Sequence, residues 1–329
     1  MIRVGVIGLG TMGAQHIKNW AQLENVELAA VADKNPQALT GDFSGAWLDT
    51  GASFDPQKII TSTDFNEILD SVDVVDICTP TPFHSDIIKA ALRAGKDILC
   101  EKPLARTSDE AAELVELIDQ SNSIFMPAMC MRFWPTWRWL KEVIESNQFG
   151  KVLSATFRRW AGSPPGWFTN GELSGGGILD MHLHDSDFVY YLFGKPDAIL
   201  ARGHSTASQC IDFVQTSYLY NQGPAVTADG GWATDPGFDF AMKYTVNFEK
   251  AVADFDIRRQ DQLLLYRDGK SQPIICIDSD GYLEEMKYFI ECVQNRTKPT
   301  LVTARDGLES IKIVEAEVKS ATTGDLIKL

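Results

Sequence analysis

Three glycines, a carboxylate and a lysine carry the first chemical signal in this chain. Gly8-Leu9-Gly10-Thr11-Met12-Gly13 follows the apolar run 4–7 and opens a stretch whose apolar residues Ala14, Ile17, Trp20 and Ala21 recur at helical spacing. Glycines in those places permit a tight turn, a close approach of backbone to a pyrophosphate, and close packing of helix on strand. The helix N-terminus then faces the anion. The next apolar run, 26–32, ends in Asp33, 20 residues past Gly13, where a carboxylate can accept the adenosine ribose hydroxyls. A carboxylate there repels a 2′-phosphate, so NAD is expected as the cofactor. The adjacent Lys34 offsets part of that repulsion and keeps NADP possible. The glycine turn alone could merely pack a helix on a strand, with Asp33 a helix cap; strand, glycines, helix, strand and acid together point to a dinucleotide.

Two further segments, Cys78-Thr79-Pro80-Thr81-Pro82-Phe83-His84 and Cys100-Glu101-Lys102-Pro103, each follow an apolar run. Proline stops a strand and fixes the backbone, so the side chains beside it are aimed beyond the strand's carboxyl end, where open α/β sheets bind ligands. Lys102 is the candidate to face a nicotinamide. Cofactor contacts are expected from Gly8, Gly10, Thr11, Met12 and Gly13, from Asp33 and Lys34, and from Thr79, Pro80, His84, Glu101 and Lys102.

The elements that must position these residues follow from periodicity. Up to residue 125, strand-like runs (4–7, 27–32, 72–78, 98–100, 124–128) alternate with helical patterns such as 85–94, ended by Gly95, and 109–120, opened by Thr107 with Glu110 as a capping box. This is the signature of βαβ units and a doubly wound parallel sheet of Rossmann type. Beyond residue 150 longer alternating runs appear (152–160, 198–207, 213–220, 226–232, 240–248, 251–257), as in an antiparallel sheet with one face covered. A Gly/Pro-rich stretch, 162–177, and a helical run, 180–193, interrupt them, and two helices, 282–295 and 305–321, follow. The expected fold is α/β: a Rossmann domain over 1–125, then an α+β domain over 126–329 with a large, mostly antiparallel sheet. The second domain is expected to bind substrate and to dimerise, and the C-terminal helix can pack back on the first domain.

Bulk composition removes other classes. With 329 residues, 44% hydrophobic and 23% charged, the chain has material for two cores. A formal net charge of -15 and the lack of a Lys/Arg-rich run argue against nucleic acid or an anionic membrane as partner. The N-terminus reads as a strand rather than a signal peptide, and no apolar stretch is long enough to span a bilayer. Six scattered cysteines without a C-x-x-C pair suggest reduced thiols and a cytoplasmic protein.

Over nearly its whole length the chain resembles the glucose-fructose oxidoreductase / inositol dehydrogenase / rhizopine catabolism (Gfo/Idh/MocA) family. The likeness is carried by residues 8–13 and 78–84, by Ala94-Gly95-Lys96 leading into Cys100-Glu101-Lys102-Pro103-Leu104, and by Arg132-Phe133, Phe149-Gly150-Lys151-Val152, Gly175-Gly176-Gly177 and residues 180–187. After its glycines the family has Asp, a glycine ahead of the next His, and a later Asp. Here the octet reads Asp180-Met181-His182-Leu183-His184-Asp185-Ser186-Asp187, with His182 where glycine is usual. Asp180 and His184, four apart, would share a helix face and suit an acid/base pair, with Asp187 one turn on. The substitution leaves open which imidazole meets the substrate; His184 is favoured. A metal held by His182 and His184 with Asp180 or Asp185 is disfavoured, because helical residues two apart diverge, and no metal is expected.

The resemblance implies hydride transfer between nicotinamide C4 and a secondary alcohol carbon of a sugar, polyol or cyclitol. Lys102, Asp180 and His184 form the implied catalytic set: His184 takes the hydroxyl proton, Lys102 stabilises charge on the reacting oxygen, and Asp180 fixes substrate or orients the relay. Arg132, Trp167 and His182 are expected at the substrate, with Arg158, Arg159 and Trp160 as lesser candidates. The apolar face of the second sheet has no obvious chain left to cover it, which together with the family's habit implies a homodimer or homotetramer. Two rival readings are a glycoside hydrolase using NAD in a transient redox cycle and a non-catalytic dinucleotide or sugar sensor. An intact Lys102, Asp180 and His184 set argues against the sensor, which needs no proton relay.

Overall fold

The computed structural model describes residues 1–43 and 50–329. They form two units, one of residues 1–130 with 280–308, the other of residues 131–279 with 309–329. In the first, Val-, Ile- and Ala-rich runs become parallel strands, and the sequence between them folds into helices. The order is β1 (Ile2–Ile7), α1 (Thr11–Trp20), β2 (Val26–Ala32), β3 (Ile60–Ser62), β4 (Val74–Ile77), α2 (His84–Arg93), β5 (Asp97–Glu101), α3 (Ser108–Gln120) and β6 (Phe125–Ala128). The strands assemble as β3-β2-β1-β4-β5-β6, all parallel, with the order reversing beside β1. This is the dinucleotide-binding arrangement, whose crevice lies at the carboxyl ends of β1 and β4. The central strands are buried on both faces, from Val4 and Val6 to Val75, Ile77, Ile98 and Leu99. Thr107 caps α3 by accepting the Glu110 N–H at 3.2 Å, while the Glu110 carboxylate accepts the Arg106 N–H. The reciprocal half of the box is therefore displaced by one residue.

The second unit contains α4 (Pro135–Glu145), β7 (Val152–Gly162), α5 (Gly171–Ser174), α6 (Leu183–Phe193), β8 (Ala198–His204), β9 (Phe213–Leu219), β10 (Ala225–Ala233), β11 (Ala241–Phe248), β12 (Val252–Asp256), β13 (Leu263–Arg267) and β14 (Lys270–Pro273). The chain then runs through α7 (Gly281–Asn295), which belongs to the first unit, and α8 (Ala304–Thr323) to β15 (Ile327–Lys328). Nine strands form a sheet ordered β14-β13-β12-β11-β7-β10-β9-β8-β15, antiparallel throughout except for β10 beside β7. The composition-based reading overlooked the β13–β14 hairpin, although Asp268 and Gly269, both at positive φ, are the turn pair that such a hairpin demands.

The apolar face of this sheet is already covered. Trp137 of α4 packs edge-on against Tyr244 of β11 and Phe188 of α6 at 5.3 and 4.8 Å between ring centroids, and Phe157 of β7 joins the cluster. Alternate residues on the other face are mostly polar, among them Thr156, Arg158, Gln215, Thr227, Thr245 and Asn247, with Leu200 and Leu219 between them. The expectation of an uncovered apolar face is thus corrected: helices contributed by 135–145 and 183–193 take that role.

Candidate active site

The glycine loop follows from steric necessity. Gly8 has φ +95°, and a Cβ there would lie 2.7 Å from the Cys78 carbonyl carbon and the Thr79 nitrogen. A Cβ at Gly13 would lie 2.0 Å from the Gly8 oxygen. These two glycines press β1, α1 and the end of β4 together. Gly10 differs, because nothing lies within 4 Å of its Cβ direction. It stands as N-cap of α1 with no side-chain cap and no acidic residue in the first turn, so the positive end of the helix is not neutralised by a carboxylate of its own first turn.

Asp33 closes the same corner. Its Oδ2 accepts the Leu9 N–H at 2.7 Å and its Oδ1 the Asn35 N–H at 2.8 Å, and the side chain remains half-exposed. Lys34 lies over the Phe83 ring at 4.6 Å. Thr79 and Pro80 are half-buried at the end of β4, and the Thr79 hydroxyl has no hydrogen-bond partner. A cradle only glycine permits, an uncapped helix end and a carboxylate at the end of β2 fit a dinucleotide with free ribose hydroxyls.

Two residues expected to touch the cofactor, His84 and Glu101, are buried at the ends of their strands. His84 is buried, with Nε2 2.8 Å from the Thr79 carbonyl and Nδ1 3.0 Å from the Pro103 carbonyl. Burial pushes its pKa down. It ties the loop after β4 to the loop after β5. Glu101 is buried as well, and its Oε2 accepts the Lys102 N–H at 2.9 Å. Lys102 itself is half-buried and precedes a cis peptide bond to Pro103.

In the second unit the glycine triplet leads into the histidine octet. A Cβ at Gly177 would lie 2.1 Å from the Asp212 oxygen, and one at Gly176, at φ +80°, would lie 2.6 Å from the Ile211 oxygen. Asp212 anchors that partner segment by accepting the N–H groups of Thr206, Ala207 and Ser208 and the Ser208 hydroxyl. Sequence reasoning missed Asp212, although an Asp downstream of a Ser/Thr cluster is a loop-capping signal. From Gly177 the chain makes a π-helical turn, Ile178–His182, before α6. The spacing between Asp180 and His184 therefore crosses two helix types rather than one α face. Such π turns recur at functional sites.

Burial separates the two imidazoles. Asp180 and His184 are half-buried, whereas His182 has no exposed surface. The His182 Nε2 lies 3.4 Å from the Tyr218 hydroxyl and 3.5 Å from Glu317 of α8. Tyr218 donates to the same Glu317 carboxylate at 2.6 Å, and the Ser186 hydroxyl donates at 3.0 Å. Burial opposes charge on His182, but Glu317 outweighs it and raises its pKa. Gly230 makes the room, since a Cβ there would stand 2.7 Å from the His182 Nδ1. His182, expected at the substrate, is thus a core residue of the second unit.

Arg132 is likewise committed. Its Nε and Nη2 donate to the two Asp187 oxygens at 2.9 and 2.7 Å, with the Ser310 hydroxyl on the same carboxylate. Breaking a buried pair of this kind costs about 3–5 kcal/mol, which makes it a brace for α6. Arg159 pairs in the same way with Asp185 at 2.9 Å, whose pKa burial raises. Arg158 and the Trp160 indole both donate to Asp229. Trp167 is half-buried and stacked on Phe168 at 4.2 Å, so one aromatic of the glycine-rich loop keeps accessible surface.

Comparison with known proteins places the whole chain among relatives of this fold. Residues 2–129 match the sequence family described as oxidoreductase family, NAD-binding Rossmann fold, and residues 137–254 match the GFO/IDH/MocA C-terminal domain. The chain is 27% identical to myo-inositol 2-dehydrogenase of Thermotoga maritima, over 100% of this chain and 98% of that protein. It is also 27% identical to scyllo-inositol 2-dehydrogenase (NAD(+)) of Bacillus subtilis, over 100% and 96% of the two chains. Its fold is shared with levoglucosan dehydrogenase in complex with NADH and levoglucosan, at a TM-score of 0.83 and 23% identity, covering 99% of both chains.

Proposed function

Because the chain belongs to the Gfo/Idh/MocA family of NAD(P)-dependent oxidoreductases, we propose that it oxidises a secondary alcohol of a sugar, polyol or cyclitol, with Lys102, Asp180 and His184 as the catalytic set. When bound, the nicotinamide supplies the carbon that accepts hydride from the alcohol carbon. The Gly8–Gly13 loop and the amide end of α1 hold the pyrophosphate, and Asp33 accepts the ribose hydroxyls, which favours NAD. His184 takes the hydroxyl proton as the C–H bond breaks. Lys102 donates to the reacting oxygen while negative charge builds there. Asp180, one π turn ahead of His184, fixes a substrate hydroxyl. Trp167 offers an aromatic face to the sugar ring.

The observation that carries this reading is the contrast between the two histidines: His184 keeps exposed surface, and His182 is closed in by Glu317 and Tyr218. The names of these two full-length relatives, both inositol dehydrogenases, support cyclitols within the substrate class. Among the described residues no helix is long and apolar enough to cross a membrane; the cytoplasmic location in this proposal rests on the six scattered cysteines without a C-x-x-C pair. A homodimer or homotetramer, as the family resemblance implies, completes the reading. The deciding experiment is a panel of sugars, inositols and their keto derivatives followed by NAD(P)H absorbance. One or more cyclitols or pyranosides should turn over with NAD, and a panel without any absorbance change would overturn the proposal.

A further inference from the structure

We propose that His16 is a positioning residue for Lys102: held between Asp76 and Glu101 in the core of the first unit, its ring fixes the Glu101 carboxylate that holds the Lys102 main chain. The proposal rests on the catalytic reading of Lys102 given above. His16 lies on the inner side of α1, Asp76 is the third residue of β4 and Glu101 the last of β5, three elements that the parallel sheet brings side by side. All three are buried. The His16 Nδ1 lies 2.9 Å from Asp76, and its Nε2 lies 3.2 Å from Glu101. The other Glu101 oxygen accepts the Lys102 N–H. Asp76 is fixed from a second side by the Trp20 indole N–H at 2.6 Å. A continuous chain of hydrogen bonds therefore runs from α1 to the peptide nitrogen of Lys102.

Charge makes that chain stiff. A ring with a carboxylate at each nitrogen can donate to both only as imidazolium. Burial works against that charge, and the Asp76 carboxylate prevails, so His16 is held well above its ordinary pKa. Glu101 stays ionised despite its burial, because His16 and Lys102 stabilise its charge. A third acid is in keeping with how little negative charge the region tolerates. Glu285 of α7 has no exposed surface and no partner for either oxygen, and burial followed by the charge of Glu101 pushes it far toward the neutral form. Cys78, 3.3 Å from His16, is held as a thiol by burial. These residues also form a His/Asp/Cys cluster with metal-like proximity. Its imidazole is already committed to two carboxylates at hydrogen-bond distance, as an ion pair requires.

The test uses the full chain with NAD and the best substrate from the panel. His16→Gln and Glu101→Gln are each compared with the unaltered protein, with Lys102→Met and with the double variants carrying Lys102→Met. Misplacement of a catalytic group by about 1 Å can cost about a hundredfold in rate, so a loosened Lys102 should lower kcat about tenfold or more. KM for NAD and for substrate should stay within about twofold, as a loss confined to the transition state requires. The double variants should be no slower than Lys102→Met, since His16 acts through that lysine. Amide hydrogen exchange at Lys102 should accelerate in His16→Gln, with exchange at Val75 of β4 unchanged.

Additive losses in the double variants, or normal kcat and normal exchange in His16→Gln, would overturn the proposal. Normal turnover in Lys102→Met would sink the catalytic reading instead; exchange at Lys102 would then decide, and an unchanged rate would remove His16 from any positioning role. If His16→Gln fails to fold, Glu101→Gln answers by the same measurements. Failure of both to fold would make the network purely structural and overturn the proposal.

Discussion

The Asp33 carboxylate accepts the Leu9 N–H at 2.7 Å, so the end of β2 is hydrogen-bonded to the glycine loop that follows β1. One side chain thereby shapes the glycine loop and, in the proposed function, also receives the ribose hydroxyls. Asp33→Ala removes both, and hydrogen bonds to a charged group are worth about 1.5–3 kcal/mol. NAD affinity in a fluorescence titration should fall about tenfold or more, and the gap to NADP should narrow or reverse. Equal or tighter binding of NADP by the unaltered protein would contradict the assignment of Asp33.

Lys102→Met should lower turnover about a hundredfold, the equivalent of roughly 3 kcal/mol in the transition state. NAD affinity by calorimetry should be unchanged, since the cradle is built from other residues. A variant with near-normal turnover would show that Lys102 does not serve the reacting oxygen.

The two histidines should separate by readout. His184→Asn should reduce turnover about a hundredfold, the usual worth of a general base, and flatten the acidic limb of the pH–rate profile. His182→Asn should chiefly lower thermal stability, because it strands Glu317 in the core. Burial opposes the His182 charge, and Glu317 raises its folded pKa above the unfolded value of about 6.5. The stabilisation is then complete below about pH 6.5 and lost as pH rises through the folded value. The Tm difference between the unaltered protein and His182→Asn should accordingly shrink on going from pH 6 to alkaline pH. A turnover loss larger in His182→Asn than in His184→Asn would exchange their roles.

Glu285 carries the opposite sign. Its folded pKa is raised, first by burial and then by the Glu101 charge, so the folded state keeps a proton that the unfolded chain releases above about pH 4.3. Stability falls as pH climbs through that window. Glu285→Gln cannot ionise, so its Tm should exceed that of the unaltered protein at pH 7.5 and converge with it near pH 4. Equal Tm values at pH 7.5 would mean that Glu285 finds a partner when it ionises.

The first unit was legible in the sequence because its signals are local. Gly8, Gly10, Gly13 and Asp33 lie within 26 consecutive residues, and apolar runs buried on both faces announce parallel strands without reference to distant chain. The alternation of the second sheet was legible for the same reason, apart from the short β3, the β13–β14 hairpin and β15, which offer too few residues for a periodic pattern. Tertiary structure alone decided which polar residues are buried against a partner and which keep exposed surface. His16 meets Asp76 and Glu101 from 60 and 85 positions away, and Ser186 meets Glu317 from 131. Each of these residues, taken by type, reads as a solvated charge or a helix polar. Only burial, with the cost of leaving a charge unpaired there, makes them partners. The same cause separates the two imidazoles of the octet: two residues apart they are equivalent in sequence, yet after the π turn His182 is buried beside Glu317 while His184 keeps exposed surface.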